Sequence, residues 1–254
     1  MTDDASVDGC RLDRLDGGVV VLTIQNARRR NSLSAAVEEQ LLSHLEVLTT
    51  DPSCRAVVLT GAGGYFSAGG DISRMGGATT DDAVAAVERL QRIVLLIDEL
   101  PAPVVAAVEG GAAGGGLAIA TACDLVVAAS DARLAMAFDR IGLAPDLGAM
   151  HTFERRVGLA ATRRLSYLGG VLDAAEAHRL GLVDQLSEPG SAVADATTLA
   201  TDVASRSATA NAVVKRTLAA PARTLREALA LELEAAPVLY TSPEYLAFVS
   251  SSGR

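Results

Sequence analysis

The sequence predicts an α/β core followed by a helical tail. Short apolar runs typical of buried strands alternate with stretches whose apolar residues recur at helical spacing, and two glycine-rich loops each join a strand to a helix. Towards the C-terminus the chain becomes rich in Ala and Leu, as helices are. Because half of the residues are hydrophobic while only 3% are aromatic, we expect a core of Ala, Val, Leu and Ile. These observations place an α/β core at residues 1–190 and a helical region at 191–254.

The first part of the chain contains a hairpin, a helix and a strand. Residues 11–15 and 18–24 are short apolar runs joined by Asp16-Gly17, a dipeptide that favours a hairpin turn. Ser34 predicts the start of a helix, because its hydroxyl can accept a hydrogen bond from a backbone N–H of the first turn. The apolar residues of this helix follow at helical spacing: Val37, Leu41, Leu42, Leu45 and Leu48. Residues 56–60 are a β-branched strand.

The pattern of strand, glycine-rich loop and helix then repeats. We predict an amphipathic helix over residues 82–97 and a strand over 104–108. A short helix is predicted over 117–121, and strands over 125–129 and 182–186. Each predicted helix can therefore cover an apolar strand.

The tail is predicted to be helical over residues 193–249. Proline cannot donate a backbone hydrogen bond and disrupts helix interiors, so we expect breaks at Pro221 and Pro237. Lys215 and Arg216 lie in this tail, where a solvated helix face is the favoured interpretation and contact with an anionic ligand is the alternative.

Charge and cysteine content exclude several classes of protein. The chain has 31 acidic and 22 basic residues and a formal net charge of −9, whereas nucleic-acid binding needs a basic face. Three cysteines lack metal-site or redox spacing and suit reduced thiols: Cys10, Cys54 and Cys123. The N-terminal segment is acidic and polar, unlike a secretory signal, and no uncharged stretch is long enough to span a membrane. We therefore expect a cytoplasmic protein that uses neither a metal nor a membrane.

Two glycine-rich loops, at residues 61–70 and 110–116, are the main functional signal. A loop that leads from a strand into a helix leaves backbone N–H groups without intrahelical partners, and these can bind an anion or a developing oxyanion. Neither loop has the G-x-G-x-x-G spacing of dinucleotide sites or the Lys-Ser/Thr ending of a P-loop, and Ser67 lacks the preceding Gly of a nucleophile elbow. Tight turns in a small-residue core remain the alternative to paired backbone donors.

The loop sequences resemble the crotonase superfamily of enoyl-CoA hydratases and isomerases. The similarity extends from about Leu15 to the C-terminus and is carried by five segments: Arg30-Asn31-Ser32-Leu33, Leu59-Thr60-Gly61, Phe66-Ser67-Ala68-Gly69-Gly70-Asp71-Ile72, Pro103-Val104-Val105-Ala106-Ala107-Val108, and Gly114-Gly115-Gly116-Leu117 with Cys123-Asp124. The resemblance implies a ββα spiral core and C-terminal trimerisation helices, assembled as a homotrimer or a dimer of trimers. It also implies an acyl-CoA thioester substrate and no separate cofactor.

The resemblance assigns roles to residues of both loops. The backbone N–H groups of Gly70 and Gly115 would form an oxyanion hole for the thioester oxygen. Arg29 or Arg30 would approach the CoA phosphates, with a solvated loop face as an equal alternative. Asp71 would have a structural role in holding the first glycine-rich loop, and Asp124 would have a similar role at the end of a strand. The remaining substrate-binding positions, along the adenine and pantetheine path and beside the acyl group, are Ser67, Ala68, Gly69, Asp71, Ile72, Ser73, Gly114, Ala118 and Phe138.

Two catalytic carboxylates of the hydratases are missing. Their positions by counting are occupied by Ala118 and Phe138, neither of which transfers a proton. Asp146 stands in Ile141-Gly142-Leu143-Ala144-Pro145-Asp146-Leu147-Gly148, which resembles the single-Asp branch of Δ3,Δ2-enoyl-CoA isomerases. Asp146 is therefore the candidate base, and a helix N-cap is its alternative role. The nearest competitor, Asp139, is expected to form a surface pair with Arg140.

These residues together predict a cofactor-independent enoyl-CoA isomerase. Asp146 would move one proton while the Gly70 and Gly115 amides stabilise a thioester enolate, and Ala118 and Phe138 would keep the cleft apolar. Two alternatives remain open. One is an atypical hydratase or other acyl-CoA-transforming enzyme, and the other is a non-catalytic acyl-CoA-binding homologue.

Overall fold

The computed structural model describes residues 8–74, 79–220 and 224–252 and confirms an α/β fold with two sheets and C-terminal helices. The described strands are β1 (Gly9–Arg14), β2 (Val19–Gln25), β3 (Ala56–Gly61), β4 (Val104–Val108), β5 (Gly111–Ala113), β6 (Leu125–Ala129), β7 (Arg133–Ala135), β8 (Val171–Asp173) and β9 (Gln185–Ser187). The described helices are α1 (Ala35–Thr49), α2 (Thr80–Glu99), α3 (Gly115–Ala122), α4 (Ala149–Leu168), α5 (Ala174–Leu180), α6 (Ala192–Ala204), α7 (Ala208–Ala219), α8 (Leu225–Tyr240) and α9 (Pro243–Ser252).

The main sheet contains six strands in the order β1-β2-β3-β4-β6-β9. The predicted hairpin is confirmed, because β1 and β2 pair antiparallel, and the remaining neighbours pair parallel. Every residue of β3 and β4 is buried, as expected for parallel strands covered on both faces. Because parallel strands place their carboxyl ends at one edge, the loops after β3 and β4 emerge side by side.

The first predicted helix is confirmed with its start. The Ser34 hydroxyl accepts a hydrogen bond from the Val37 N–H at 3.2 Å. The apolar positions Leu41, Leu45 and Leu48 are all buried against the core. Helix α1 is thus fixed on the sheet beside the loop that precedes it.

A second, three-stranded sheet of β5, β7 and β8 is present that the sequence does not predict. Its strands have three residues each, and β5 consists only of Gly and Ala. The second glycine-rich loop therefore contains a strand, and α3 begins at Gly115 rather than at residue 117. The last strand is also displaced, since β9 covers Gln185–Ser187 instead of 182–186.

One predicted helix break is wrong, and the other lies outside the described residues. Pro237 is inside α8, which continues to Tyr240 before the chain turns at Thr241. An internal proline removes a single backbone donor, and the rest of the helix keeps its hydrogen bonds. Pro221 falls in the gap at 221–223.

Lys215 is buried, so the expectation of a solvated face is wrong at this position. Its ammonium nitrogen lies 2.8 Å from Asp124 Oδ2 and 2.7 Å from the carbonyl oxygen of Ile97. Asp124 Oδ2 also accepts a hydrogen bond from the Val104 N–H at 2.7 Å. Asp124 therefore holds the start of β4, the structural role expected of it, and joins α7 to the end of α3.

The C-terminal helices differ in how much apolar surface they bury. In α6, Ala192, Ala196, Ala200 and Ala204 are buried at a spacing of four residues, and this face packs on β3 and β4. Large apolar side chains of α8 and α9 remain exposed: Leu225, Leu229, Leu233, Val238, Tyr240, Leu246, Phe248 and Val249.

The division of the chain into a core at residues 1–190 and a helical region at 191–254 stays a prediction. Among the helices of the described ranges, none combines the length and apolar composition that a membrane crossing requires.

Candidate active site

Backbone hydrogen bonds join the two glycine-rich loops. Ser67 and Ala112 form a parallel bridge, and the Ala113 N–H donates to the Ser67 carbonyl oxygen at 2.9 Å. On the other side, the Leu33 N–H donates to the Gly69 carbonyl oxygen at 2.8 Å. Three segments that are distant in sequence therefore meet around residues 67–70.

Two glycines allow the loops to approach so closely. A Cβ on Gly116 would lie 2.5 Å from the Ser67 carbonyl oxygen. Gly69 has a φ of +86°, and a Cβ there would lie 2.6 Å from the Ala113 carbonyl oxygen and 2.8 Å from the Gly115 nitrogen. Only glycine fits these positions without moving backbone.

The predicted pair of backbone donors, Gly70 and Gly115, lies together in the structure. A Cβ built on Gly115 would lie 3.7 Å from the Gly70 nitrogen, so the two amides are neighbours. Within the described ranges, neither N–H has a hydrogen-bond partner. Gly115 is also the first residue of α3, where the helix dipole favours negative charge. The arrangement can stabilise an oxyanion.

Asn31 is the buried residue that holds the first loop, a role that the sequence alone does not indicate. Its side-chain amide donates to the carbonyl oxygens of Ala62 at 2.8 Å and Tyr65 at 2.5 Å, and its side-chain oxygen accepts from the Asn26 N–H at 2.9 Å. Its carbonyl oxygen accepts from the Ser67 hydroxyl at 2.7 Å. Its amide nitrogen therefore positions the loop after β3, while its side-chain oxygen holds the segment after β2.

Arg29 and Asp71, two predicted binding residues, form an ion pair at the edge of the site. Arg29 Nη1 lies 3.0 Å from Asp71 Oδ2 and 3.1 Å from the Ser73 hydroxyl. Hydrogen bonds from Ser73, helped by the charge of Arg29, hold the pKa of Asp71 below its usual value. Asp71 thus fixes the turn after Gly70. The Arg30 guanidinium instead lies over the Tyr65 ring, 5.7 Å from its centre.

Glu38 is a second positioning residue that the sequence did not reveal. This α1 carboxylate is buried and lies 2.8 Å from Arg74 Nη1 and 3.4 Å from Arg89 Nε. Arg74 follows the turn after Asp71, and Arg89 lies on α2. Glu38 therefore ties both segments to α1. From the sequence alone, a carboxylate near the start of a helix indicates only a favourable interaction with the helix dipole.

Asp146 lies in the segment between the 3-10 turn at Asp139–Ile141 and helix α4. It is half-buried, and its pKa is raised because burial disfavours the charged form. The N-cap of α4 is Gly148, and Asp146 contributes only its backbone carbonyl, which accepts from the Ala149 N–H at 2.9 Å. The helix-cap alternative for this carboxylate is therefore wrong. No cation pairs with it in the part of the chain that is described.

Apolar side chains occupy the two positions that the crotonase resemblance assigns to the hydratase glutamates. Ala118, on α3, is completely buried, and Phe138, just before the 3-10 turn, is 6% exposed. Asp139 does not form the expected pair with Arg140 among the ion pairs of the described residues. Its carboxyl group lies against Gly169 at the end of α4 instead.

The other predicted binding residues line the first loop and the start of α3. The Ser67 hydroxyl is buried and accepts from the Gly69 N–H at 3.1 Å, and the Ala68 N–H donates to the Arg30 carbonyl oxygen at 2.8 Å. Ile72 is 63% exposed beside the ion pair of the first loop. Gly114 has a φ of +50° and donates its N–H to the Ala135 carbonyl oxygen at 3.0 Å.

A cavity of about 550 Å³ is lined by residues of α2, α3, α4 and α7. It reaches the Asp146 segment at Gly148, whose neighbour across the cavity is Val94, and its far wall includes Lys215. Neither loop amide lines it. The cavity therefore does not contain the oxyanion position.

Comparison with known proteins gives one consistent result. Residues 14–244 match the family described as "Enoyl-CoA hydratase/isomerase". The 1,2-epoxyphenylacetyl-CoA isomerase of Escherichia coli (strain K12) is 33% identical over 245 residues, which cover 94% of this chain and 94% of that protein.

Solved structures agree with the sequence matches. The enoyl-CoA hydratase of Bacillus anthracis superposes with a TM-score of 0.92 at 27% identity, covering 97% of this chain and 96% of the other. That of Polaromonas sp. JS666 has a TM-score of 0.89 at 31% identity, covering 96% and 97%. The similarity thus includes the core and the C-terminal helices.

Proposed function

Because the chain belongs to the enoyl-CoA hydratase/isomerase family, we propose that it is an isomerase that moves a 3-enoyl-CoA double bond to the 2-position. The observation that carries this proposal is a pair of free, adjacent amides at Gly70 and Gly115 beside a segment with one unpaired carboxyl group, Asp146. An isomerisation needs one proton removed and returned, which one carboxylate can do.

The proposed reaction uses groups of this chain alone. The thioester oxygen accepts hydrogen bonds from the N–H groups of Gly70 and Gly115. As Asp146 removes a proton from C2, negative charge moves onto this oxygen and the amides stabilise the enolate. Asp146 then returns the proton to C4, and the double bond becomes conjugated with the thioester. Burial supports this role, because a raised pKa makes the carboxylate a stronger base.

The apolar residues at the two glutamate positions favour isomerisation over hydration. Hydration needs a group that activates water, and Ala118 and Phe138 have none. A second candidate substrate is a ring-bearing epoxyacyl-CoA, favoured by the relative from Escherichia coli that matches 94% of the chain.

A substrate panel tests the proposal. The protein is incubated with 3-enoyl-CoAs, 2-enoyl-CoAs and 1,2-epoxyphenylacetyl-CoA, and the products are identified by mass and ultraviolet absorbance. We expect 3-enoyl-CoAs to become 2-enoyl-CoAs of unchanged mass. A product heavier by one water would show a hydratase, and binding without turnover of any compound would show a non-catalytic homologue.

We also propose that the chain assembles as a homotrimer or a dimer of trimers through its C-terminal helices. Leu225, Leu229 and Leu233 recur every four residues on α8 and are 75%, 52% and 75% exposed. Soluble monomers rarely expose a continuous apolar face of this kind.

Light scattering coupled to size-exclusion chromatography tests the assembly. We expect three or six times the chain mass of 26.0 kDa for the wild type and smaller species for the double variant Leu229→Glu, Leu233→Glu. Val47→Glu is the matched control, because Val47 is 55% exposed on α1. An unchanged mass in the double variant would refute this interface.

The position of Arg29 and Arg30 supports a proposed role at the CoA phosphates. Both lie beside the first loop, and the Arg29 side chain is 59% exposed although it is paired with Asp71. A guanidinium group that keeps free N–H donors towards solvent can bind phosphate.

A further inference from the structure

Helices α3 and α4 begin at the two halves of the candidate site. Helix α3 begins at Gly115, one of the two backbone donors, and α4 begins at Ala149, shortly after Asp146 in the sequence. Helix α3 has only 8 residues, and an isolated helix of that length is not stable in water. The placement of the Gly115 amide relative to Asp146 therefore depends on what holds α3 against α4.

Three contacts show that the two helices run parallel to each other. Near their starts, Leu147 Cδ1 lies 3.1 Å from where a Cβ of Gly115 would be. Further along both helices, the hydroxyl oxygens of Thr121 and Thr152 are 3.2 Å apart. At the end of α3, Arg156 of α4 reaches the backbone. Because the residue numbers of the contacts rise together, both helices start at the site and extend away from it side by side.

Arg156 binds the C-terminal end of α3. Its Nε donates to the Thr121 carbonyl oxygen at 3.0 Å, and its Nη2 donates to the carbonyl oxygens of Cys123 at 2.6 Å and Asp124 at 3.2 Å. The last carbonyl groups of a helix lack intrahelical partners, and a cation beside them interacts favourably with the helix dipole. One guanidinium group thus fixes the end of α3 to α4.

Arg156 is itself held on the main sheet. Its Nη1 lies 3.0 Å from Asp184 Oδ2, and its side chain is 14% exposed. The same carboxylate oxygen accepts a hydrogen bond from the Val126 N–H at 2.7 Å, and the Asp184 N–H donates to the Val126 carbonyl oxygen at 2.8 Å. Val126 belongs to β6, so the guanidinium group is anchored to a buried strand as well as to both helices.

We propose that Arg156 is a positioning residue that sets the distance between the Gly115 amide and Asp146 by fixing the other end of the helix pair. The inference rests on the proposed isomerase function for its effect on turnover, whereas the distance itself is a property of the fold. Catalytic groups must be held to within about 0.5 Å of their productive geometry. A displacement of about 1 Å, caused by a mutation far from the reacting atoms, can lower the rate by about 10²-fold.

Kinetics of Arg156→Gln test the effect on turnover. Glutamine removes the charge and cannot reach all three carbonyl oxygens, so we expect kcat to fall about 10- to 100-fold. KM should stay within about threefold, because no group that contacts the substrate is changed. Arg155→Gln is the matched control, since Arg155 is the neighbouring residue of α4 but donates to the Leu218 carbonyl oxygen of α7. Equal kcat values for the two variants would overturn the proposal.

A double-mutant cycle with Asp146→Asn separates positioning from a general loss of structure. If Arg156 acts by placing the carboxylate, its replacement matters little once that carboxylate is gone. We therefore expect Arg156→Gln to lower the residual rate of Asp146→Asn by less than about threefold. A loss in the double variant as large as that in the wild-type background would overturn the positioning role.

Crystal structures of the wild type and Arg156→Gln test the distance without any turnover. The separation between the Asp146 carboxyl carbon and the Gly115 nitrogen is expected to change by at least about 0.5 Å, and to remain unchanged in Arg155→Gln. An unchanged separation in Arg156→Gln contradicts the proposal. A wild type that does not isomerise refutes the proposed function alone, since the measured separation still decides the role of Arg156.

A milder variant protects the experiment against misfolding. Arg156→Lys keeps the positive charge but lacks the planar fork that contacts several carbonyl oxygens at once. It replaces Arg156→Gln where the glutamine variant does not accumulate, and both the fall in kcat and the shift in separation are expected to be smaller. Wild-type values of both quantities in Arg156→Lys would then count against the proposal.

Discussion

Asp146→Asn is expected to lower isomerase turnover by about 10²- to 10⁴-fold, the range typical of losing a general base. The amide side chain has nearly the same shape as the carboxyl group but cannot accept the C2 proton. Acyl-CoA affinity should stay within a few-fold of the wild type, because the Gly70 and Gly115 amides are unchanged. Turnover is followed by the absorbance of the conjugated product and affinity by calorimetry. Asp139→Asn is the matched control and should retain activity.

The pH dependence of wild-type activity follows from the same residue. The base must be ionised to act, and burial raises the pKa of Asp146 above its ordinary 3.8. Activity should therefore decline as the pH falls through this raised pKa, with an acid limb above pH 3.8. An acid limb of the same position in the residual activity of Asp146→Asn would mean that another group is titrating.

As the pH rises through the pKa of Asp146, the stability of the folded protein should fall while its activity increases. Since the folded state raises the pKa of Asp146, the folded protein binds this proton more tightly than the unfolded chain does. The contribution to the free energy of unfolding is thus lost as the pH rises through the folded pKa. Asp146→Asn should melt above the wild type at neutral pH, and the difference should shrink towards pH 3.8. Thermal unfolding at several pH values measures it.

Gly69→Ala is expected to cause the second large loss. The new methyl group would lie 2.6 Å from the Ala113 carbonyl oxygen and 2.8 Å from the Gly115 nitrogen, so it forces apart the loops that place the two amides. Removing one oxyanion donor typically costs about 10²- to 10³-fold in turnover, and we expect a loss of that size.

Gly64→Ala is the matched control for this variant. Gly64 lies in the same loop with a φ of +73°, but a Cβ there meets nothing within 4 Å. It should lose roughly 1–2 kcal/mol of stability from backbone strain and keep its activity. Kinetics and chemical denaturation of both variants separate the two effects. Equal activity in Gly69→Ala and Gly64→Ala would contradict the role assigned to the loop contact.

The sequence is sufficient to predict those helices and strands that are determined by the local pattern of residues. Ser34 marks the start of α1, and the alternation of apolar strands with amphipathic helices predicts the α/β core, although it does not give the order of the strands in the sheet. The second sheet was missed because Gly111–Ala113 contains no β-branched residue and gains its strand geometry only by pairing with β7. The break predicted at Pro237 is wrong because a single missing backbone donor leaves the other hydrogen bonds of α8 in place.

The backbone donors of the candidate site could be predicted from the sequence, but most of the side chains that support them could not. Gly70 and Gly115 are recognisable from motif and loop position. The ion pairs and hydrogen bonds of Glu38 and Lys215 could not be predicted, because their partners lie up to 118 residues away in the sequence and are brought close only by the fold. The left-handed backbone of Leu147, with a φ of +52°, also could not be predicted, because leucine rarely adopts a positive φ.

The two unpartnered amides have a consequence for the persistence of the protein. A sheltered N–H that lacks an acceptor costs on the order of 1–3 kcal/mol, a penalty that any carbonyl oxygen seated between Gly70 and Gly115 relieves. Because such a ligand binds the native chain and not the unfolded one, it slows unfolding-dependent proteolysis. We therefore expect the empty protein to be proteolysed faster than the protein with an acyl thioester bound.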